Sequence, residues 1–275
     1  MGKRFQEFKQ QFHPEKWAIT IIYLVLRLIV IAILIRQFFT GRYEHCFTCL
    51  LTLVLFMIPS FVNKKLQIQL PDTLEVVILL FIFSAEILGE INAFYLRIAW
   101  WDAMLHTING FLMAAIGFSL VDILNENETI KFHLSPIFVV VVGFCFSMTI
   151  GVLWEFFEFF MDFFLKTDMQ KDTIIQAFSS VELNINKENT PVLLNGIEDV
   201  ILTGKNLSVD HLPQDNKVLQ LGGYLDIGLV DTMMDLLVNF IGAVFFSLAG
   251  YAYIKTRKKG NWVQKLIPSK IRKEE

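Results

Sequence analysis

Ionisable side chains recur at one-turn helical spacing along four apolar stretches of this chain. Glu86 and Glu90 stand four residues apart, as do Asp102 and His106, with Asn109 following. Glu155 and Glu158 are three apart, with Asp162 four further on. Asp231, Asp235 and Asn239 repeat at four. On a helix, such neighbours lie about 5–6 Å apart on one face, close enough to converge on one cation or one hydrogen-bonded network. Eight carboxylates (86, 90, 102, 155, 158, 162, 231 and 235) face one imidazole and a few arginines. Carboxylates at close range cannot all stay ionised without cations, so either several are protonated or a metal neutralises them.

The donor types set the expected chemistry. An oxygen-rich set suits Mg²⁺, Mn²⁺ or Ca²⁺, and one imidazole leaves Zn²⁺ or Fe²⁺ open. A symmetric di-iron bundle needs two Glu-x-x-His pairs, which a single membrane histidine does not supply. The ligand candidates are Asp102, His106, Glu155, Glu158, Asp162, Asp231 and Asp235, with Glu86, Glu90 and Asn239 behind them. His106 or Glu155 is the candidate general base. The competing reading is a network of acids and amides that locks helices together.

The elements that position these groups must be membrane helices. The chain has 275 residues, 54% hydrophobic and 19% charged, and a mean hydropathy of +0.52. Soluble domains average about 45–50% apolar and about 25% charged. A soluble enzyme and a disordered chain are excluded. Three cysteines exclude a disulfide scaffold, and a net charge of −3 gives no reason to expect nucleic acid.

A crossing needs about 20 mostly apolar residues. Six stretches qualify: Trp17–Arg36, Cys46–Val62, Asp72–Ile91, Ala103–Leu124, Pro136–Phe157 and Asp235–Ile254. The first lacks a small-residue cleavage site and reads as a signal anchor. The expected fold is all-α. Residues 1–16 form a cytoplasmic arm and 17–165 hold helices one to five. Residues 166–226 form an extracytoplasmic loop, read either as a small β-rich cap or as a flexible connection, 227–254 hold helix six, and 255–275 form a basic cytoplasmic tail.

Orientation follows from lysine and arginine in the short flanks. One side carries fifteen of them, the other three. Both termini are therefore expected in the cytoplasm of a cell whose plasma membrane the protein spans. Twenty residues from the cytoplasmic ends of spans three to six reach Glu90, His106, Glu155 and Asp235. At 1.5 Å per residue these four share one depth, the outer boundary.

Within the loop, Thr173–Phe178, Val181–Ile185, Val192–Leu194 and Val200–Thr203 read as strands, with turns at Asn195-Gly196 and Thr203-Gly204. Arg27, near the midplane of span one, either reaches toward Glu86 or snorkels through a water defect. The Cys46-x-x-Cys49 pair is expected to pack inside a helix rather than to do redox chemistry. Gly110 and Ala114, Gly143, Ser147 and Gly151, and Ala243 and Ser247 permit close helix contact.

The chain contains Trp100-Trp101-Asp102-x-x-x-His106-x-x-x-Gly110 and Trp154-Glu155-x-x-Glu158-x-x-x-Asp162. It also contains Gly222-Gly223-Tyr224-x-Asp226, leading into Asp231-Thr232-x-x-Asp235-x-x-x-Asn239-x-x-Gly242. Together these resemble the YjdF-type bacterial multi-spanning membrane proteins, an uncharacterised group. The Asp-x-x-x-His helix start is distantly similar to VanZ-like membrane proteins. The resemblance covers roughly 70 to 250 and implies no substrate or reaction.

Three functions compete. One is a metal-dependent membrane enzyme acting on a lipid-linked or envelope substrate. Another is a cation or proton-coupled transporter, which needs an inward path that the sparse cytoplasmic-side acids, Glu75 and Asp122, do not provide. The last is a structural or partner-binding membrane protein.

Overall fold

A computed structural model of the chain describes residues 14–65, 68–125, 134–201, 221–256 and 262–270. Among the described residues, five helices are long and apolar enough to cross a membrane: Ile19–Phe39, Tyr43–Asn63, Trp101–Asn125, Pro136–Leu165 and Leu229–Thr256. The chain divides into two compact units, residues 1–152 with 235–275, and residues 153–234.

In the first unit, α1 (Pro14–Phe39) is followed by α2 (Tyr43–Leu55) and α3 (Ile58–Lys65). The α2–α3 junction at Phe56 and Met57 comes just before Pro59, which sits in the first turn of α3, where its missing N–H is harmless. Strand β1 (Ile68–Gln69) leads to α4 (Asp72–Phe83), which runs on as a π-helix over Ser84–Ile91. The expected span Asp72–Ile91 is thus helical throughout. Asp72, Glu75, Glu86 and Glu90 keep it outside the five apolar spans.

After a short α5 (Phe94–Arg97), α6 (Trp101–Asn125) and α7, which starts at Pro136, lie with α8 (Leu229–Thr256) in one core. That core holds Leu112, Ala114, Phe118, Val139, Ala243 and Phe246. The expected small-residue contacts are present. Ser147 Oγ donates to the Gly110 carbonyl at 2.7 Å. A Cβ on Gly143 would stand 2.9 Å from the Phe118 nitrogen.

A second core gathers Leu26, Val30, Cys49, Phe56, Leu79 and Ile82. Cys49 is fully buried there as a small apolar group, which agrees with the packing expectation. Arg27 pairs within its own helix rather than with Glu86: its guanidinium lies 4.2 Å from the Tyr23 ring centroid and donates to the Tyr23 hydroxyl at 3.1 Å.

The tail is more than a basic arm. A 3-10 turn at Trp262–Leu266 buries Val263 and Leu266 in the same core as Leu74 and Phe118. Strand β6 (Ser269–Lys270) then pairs antiparallel with β1. Trp262 stacks on Phe111 and lies 6.4 Å from Phe245 by ring centroids. Phe245 is eleven residues, about 16 Å, before the end of α8, so the chain turns back along the bundle.

In the second unit, α7 ends at Phe160 and continues as a π-helix over Met161–Leu165. Strands β2 (Ile174–Ile175) and β5 (Tyr224–Leu225) pair, as do β3 (Ala177–Ser180) and β4 (Val192–Asn195). The β3–β4 register pairs Ser180 with Val192, so residues 181–191 make the connection. Val181–Ile185 is therefore turn rather than strand. Asn195-Gly196 follows the hairpin instead of closing it, with Gly196 at φ +66°. The Thr203-Gly204 turn lies outside the described residues.

Candidate functional site

In the first unit, the start of α6 is anchored by Trp101, which is buried and meets Phe94 edge to face at 4.9 Å. Asp102 stands in the first turn, where the helix dipole favours an anion. One turn on is His106, 7% exposed. Its Nε2 lies 3.6 Å from Asp102 Oδ1 and 3.6 Å from Asp235 Oδ2 of α8. Asp235 is 3% exposed. Asp102 and Asp235 also offer oxygens within 4.8 Å of each other.

These separations are longer than hydrogen bonds. Two donors each about 2.1 Å from one ion stand about 3.0 Å apart at right angles and about 3.4 Å apart at tetrahedral angles. Calcium's longer bonds, about 2.4 Å, widen both figures. The two imidazole–carboxylate separations of 3.6 Å lie near these figures, and one imidazole with two carboxylates is a donor set that could hold a divalent cation.

One turn further along both helices the packing explains the convergence. A Cβ on Gly110 would land on the Asn239 carbonyl oxygen, and one on Gly242 would land on the Thr107 carbonyl oxygen. Asn109 Nδ2 donates to Asn239 Oδ1 at 3.2 Å. Asn239 is fully buried and also donates to Met148 Sδ at 3.7 Å. It acts as an amide link between helices. Glu86 and Glu90 sit on the π-helix that follows α4.

In the second unit, Glu155 and Glu158 are 4% and 7% exposed, with carboxylate oxygens within 4.8 Å of each other. Trp154 Nε1 donates to Glu158 Oε1 at 2.8 Å. Asp162 accepts from Thr167 Oγ1 and from the backbone N–H groups of Met169 and Gln170, at 2.7, 2.7 and 2.8 Å. Asp231 accepts from the Lys171 N–H at 2.7 Å. Both therefore tie down the chain at 167–171.

Asp226 does similar work. It accepts from the N–H groups of Thr173 at 2.7 Å and Val230 at 2.8 Å. The sequence signal for it was an aspartate just ahead of an apolar helical run. Exposed Asp172 has its carboxyl pushed above the usual range, first by partial burial, then by Asp168, Asp226 and Asp162.

A family model described as "Predicted membrane protein (DUF2238)" matches residues 22–256. No curated protein matches, and no solved structure matches. The chain belongs to this family of predicted membrane proteins, and its apolar helices sit in a lipid bilayer.

Proposed function

We propose that this member of the DUF2238 family holds a divalent cation at Asp102, His106 and Asp235, and uses it on a lipid or envelope substrate at the outer membrane boundary. The observation that carries the reading is His106 Nε2 standing 3.6 Å from a carboxylate of α6 and 3.6 Å from one of α8. Two carboxylates favour Mg²⁺, Mn²⁺ or Ca²⁺, and the imidazole keeps Zn²⁺ or Fe²⁺ in play. Such an ion polarises a phosphoryl or carbonyl oxygen or lowers the pKa of a water. The chain's own part is to orient the substrate and move a proton at Glu155. The shared membrane depth of Glu155, Glu158 and Asp231, counted from the sequence, keeps these three as ligand candidates. Asp162, which accepts three hydrogen bonds from 167–170, we assign to the loop.

The topology belongs to the same reading. Six spans, with Asp72–Ile91 as one of them, put both termini in the cytoplasm and 166–226 outside a plasma membrane. The fifteen-to-three bias of basic residues supports this. Kinship with YjdF-type bacterial proteins, and more distantly with VanZ-like ones, rests on the Trp-Trp-Asp-x-x-x-His and Trp-Glu-x-x-Glu motifs.

The test is metal analysis of the purified protein, followed by melting with and without added Mn²⁺ or Mg²⁺. Bound divalent metal and a cation-dependent rise in stability are expected. Their absence would favour the second reading, an acid–amide lock between helices, for which the Asn109–Asn239 bond speaks.

A further inference from the structure

The first unit contains an apolar cavity of about 410 Å³ between α4, α6 and α8. Its walls include Val77, Thr107, Phe111, Ile241, Gly242 and Phe245. The Thr107 hydroxyl is turned away to the Ala103 carbonyl, at 2.7 Å. Ile241 and Phe245 are more than half exposed, so the cavity opens sideways toward the bilayer. Trp262 stacks on Phe111 at 6.2 Å between ring centroids and borders Phe245, closing the end nearer the tail. At the opposite end, Thr107 follows His106 directly. Ile241 is six residues, about 9 Å, along α8 from Asp235.

We infer that this groove seats one acyl chain of a membrane lipid whose head group lies at Asp102, His106 and Asp235. The inference rests on the cation reading for the head group and on the cavity alone for the chain. Water does not suit the space, because a buried water needs two to four polar partners. A flexible hydrocarbon chain enters from the side, needs no polar partner and leads its head toward Asp102, His106 and Asp235.

The test uses the full chain in phosphatidylcholine–phosphatidylglycerol vesicles containing a phospholipid with a mid-chain diazirine. After photolysis, labelled residues are mapped by peptide mass spectrometry. Label should concentrate on Phe111, Ile241 and Phe245 over the exposed Leu28, Phe156 and Leu248. Ile241→Trp should lower labelling of Phe111 several-fold while leaving the Mn²⁺ response intact. Val77→Phe, from the opposite wall, should do the same if Ile241→Trp does not fold. Even labelling of all exposed apolar residues would overturn the groove, as would unchanged Phe111 labelling in both variants. Concentrated label in a protein with no Mn²⁺ response would remove the cation and keep the groove.

Discussion

Gly110 of α6 and Asn239 of α8 touch through their backbones: a methyl group on Gly110 would fall on the Asn239 carbonyl oxygen. Gly110 is four residues past His106, and Asn239 is four past Asp235. One turn, about 6 Å along each helix, therefore separates the tightest point of the pair from the imidazole–carboxylate approach. Gly110→Ala must push the two backbones apart. Overpacking costs about 1–3 kcal/mol, and backbone against backbone has no side-chain rotamer to yield. The variant should melt lower and should also lose cation stabilisation, because His106 and Asp235 separate. Ser147→Ala, which removes a buried bond to the Gly110 carbonyl, should cost about 0.5–1.5 kcal/mol and keep the cation response.

Amide substitutions separate an ion site from a polar seam. Asp102→Asn and Asp235→Asn keep size and hydrogen-bonding capacity but remove charge. In a seam they should be mild or stabilising, since they relieve repulsion. In an ion site they delete anionic ligands, and affinity should fall sharply. Cation at one hundred times its dissociation constant stabilises the native protein by about 2.7 kcal/mol. That gain should vanish in both variants, and in Glu155→Gln if its carboxylate is a ligand. Melting curves with and without Mn²⁺ read the difference, and a variant that keeps the wild-type gain counts against the ligand it altered.

Much of this was legible because long apolar helices announce themselves. Runs such as Trp17–Arg36 and Pro136–Phe157 admit no other structure in a bilayer. The meeting of His106 with Asp102 and Asp235 was legible from one-turn spacing and from shared depth. Other features were hidden for physical reasons. The π-helix at Ser84–Ile91 changes hydrogen-bond phase without changing composition. The docking of Trp262, Val263 and Leu266 involves too few apolar residues, among too many lysines, to show a period. The β3–β4 register is set by an eleven-residue connection, so the strong turn signal at Asn195-Gly196 pointed to the wrong place.

The docked tail yields its own expectation. Leu266 is 8% exposed and packs in the same core as Leu74 and Phe118. Leu266→Ala should destabilise the protein by about 2–5 kcal/mol, as for other buried leucines. Lys265→Ala, next to it and exposed, should change stability by less than about 0.5 kcal/mol. Equal melting temperatures for the two variants would mean the tail does not contribute to the core.

Asp172 gives a pH signature outside the membrane spans. Its folded pKa is raised by partial burial and by Asp168, Asp226 and Asp162. The folded state therefore binds this proton more tightly than the unfolded one. Stability falls as pH rises from the ordinary carboxylate range through the raised value. Asp172→Asn should be slightly stabilising at neutral pH and neutral at pH 3. The effect should be small and should shrink in salt, because the group is exposed. Melting at two pH values and two ionic strengths measures it, and a variant less stable than wild type at pH 7 would refute the repulsion.

Membrane orientation decides which compartment the cluster serves. Lysine and arginine stay on the cytoplasmic side of short loops, and fifteen against three is a strong bias. On the proposed orientation, Glu90, His106, Glu155 and Asp235 would all arrive at the far boundary after about 20 residues, the thickness of the hydrocarbon layer. A reporter fused after Glu275 should therefore be cytoplasmic, and an epitope inserted at Gly204 should be reached by antibody on intact cells or spheroplasts. The two results test different steps. The first checks the charge rule at the tail. The second checks that the last helix crosses once, with the loop outside. A reporter at the N-terminal arm that is also cytoplasmic then requires an odd number of crossings before the loop, which holds only if Asp72–Ile91, with its four acids, crosses the membrane along with the four apolar helices before the loop. A shielded Gly204 epitope with an external tail would invert the last helix and turn the acidic cluster away from the envelope. An external N-terminal reporter with an accessible Gly204 epitope would return Asp72–Ile91 to a non-spanning role.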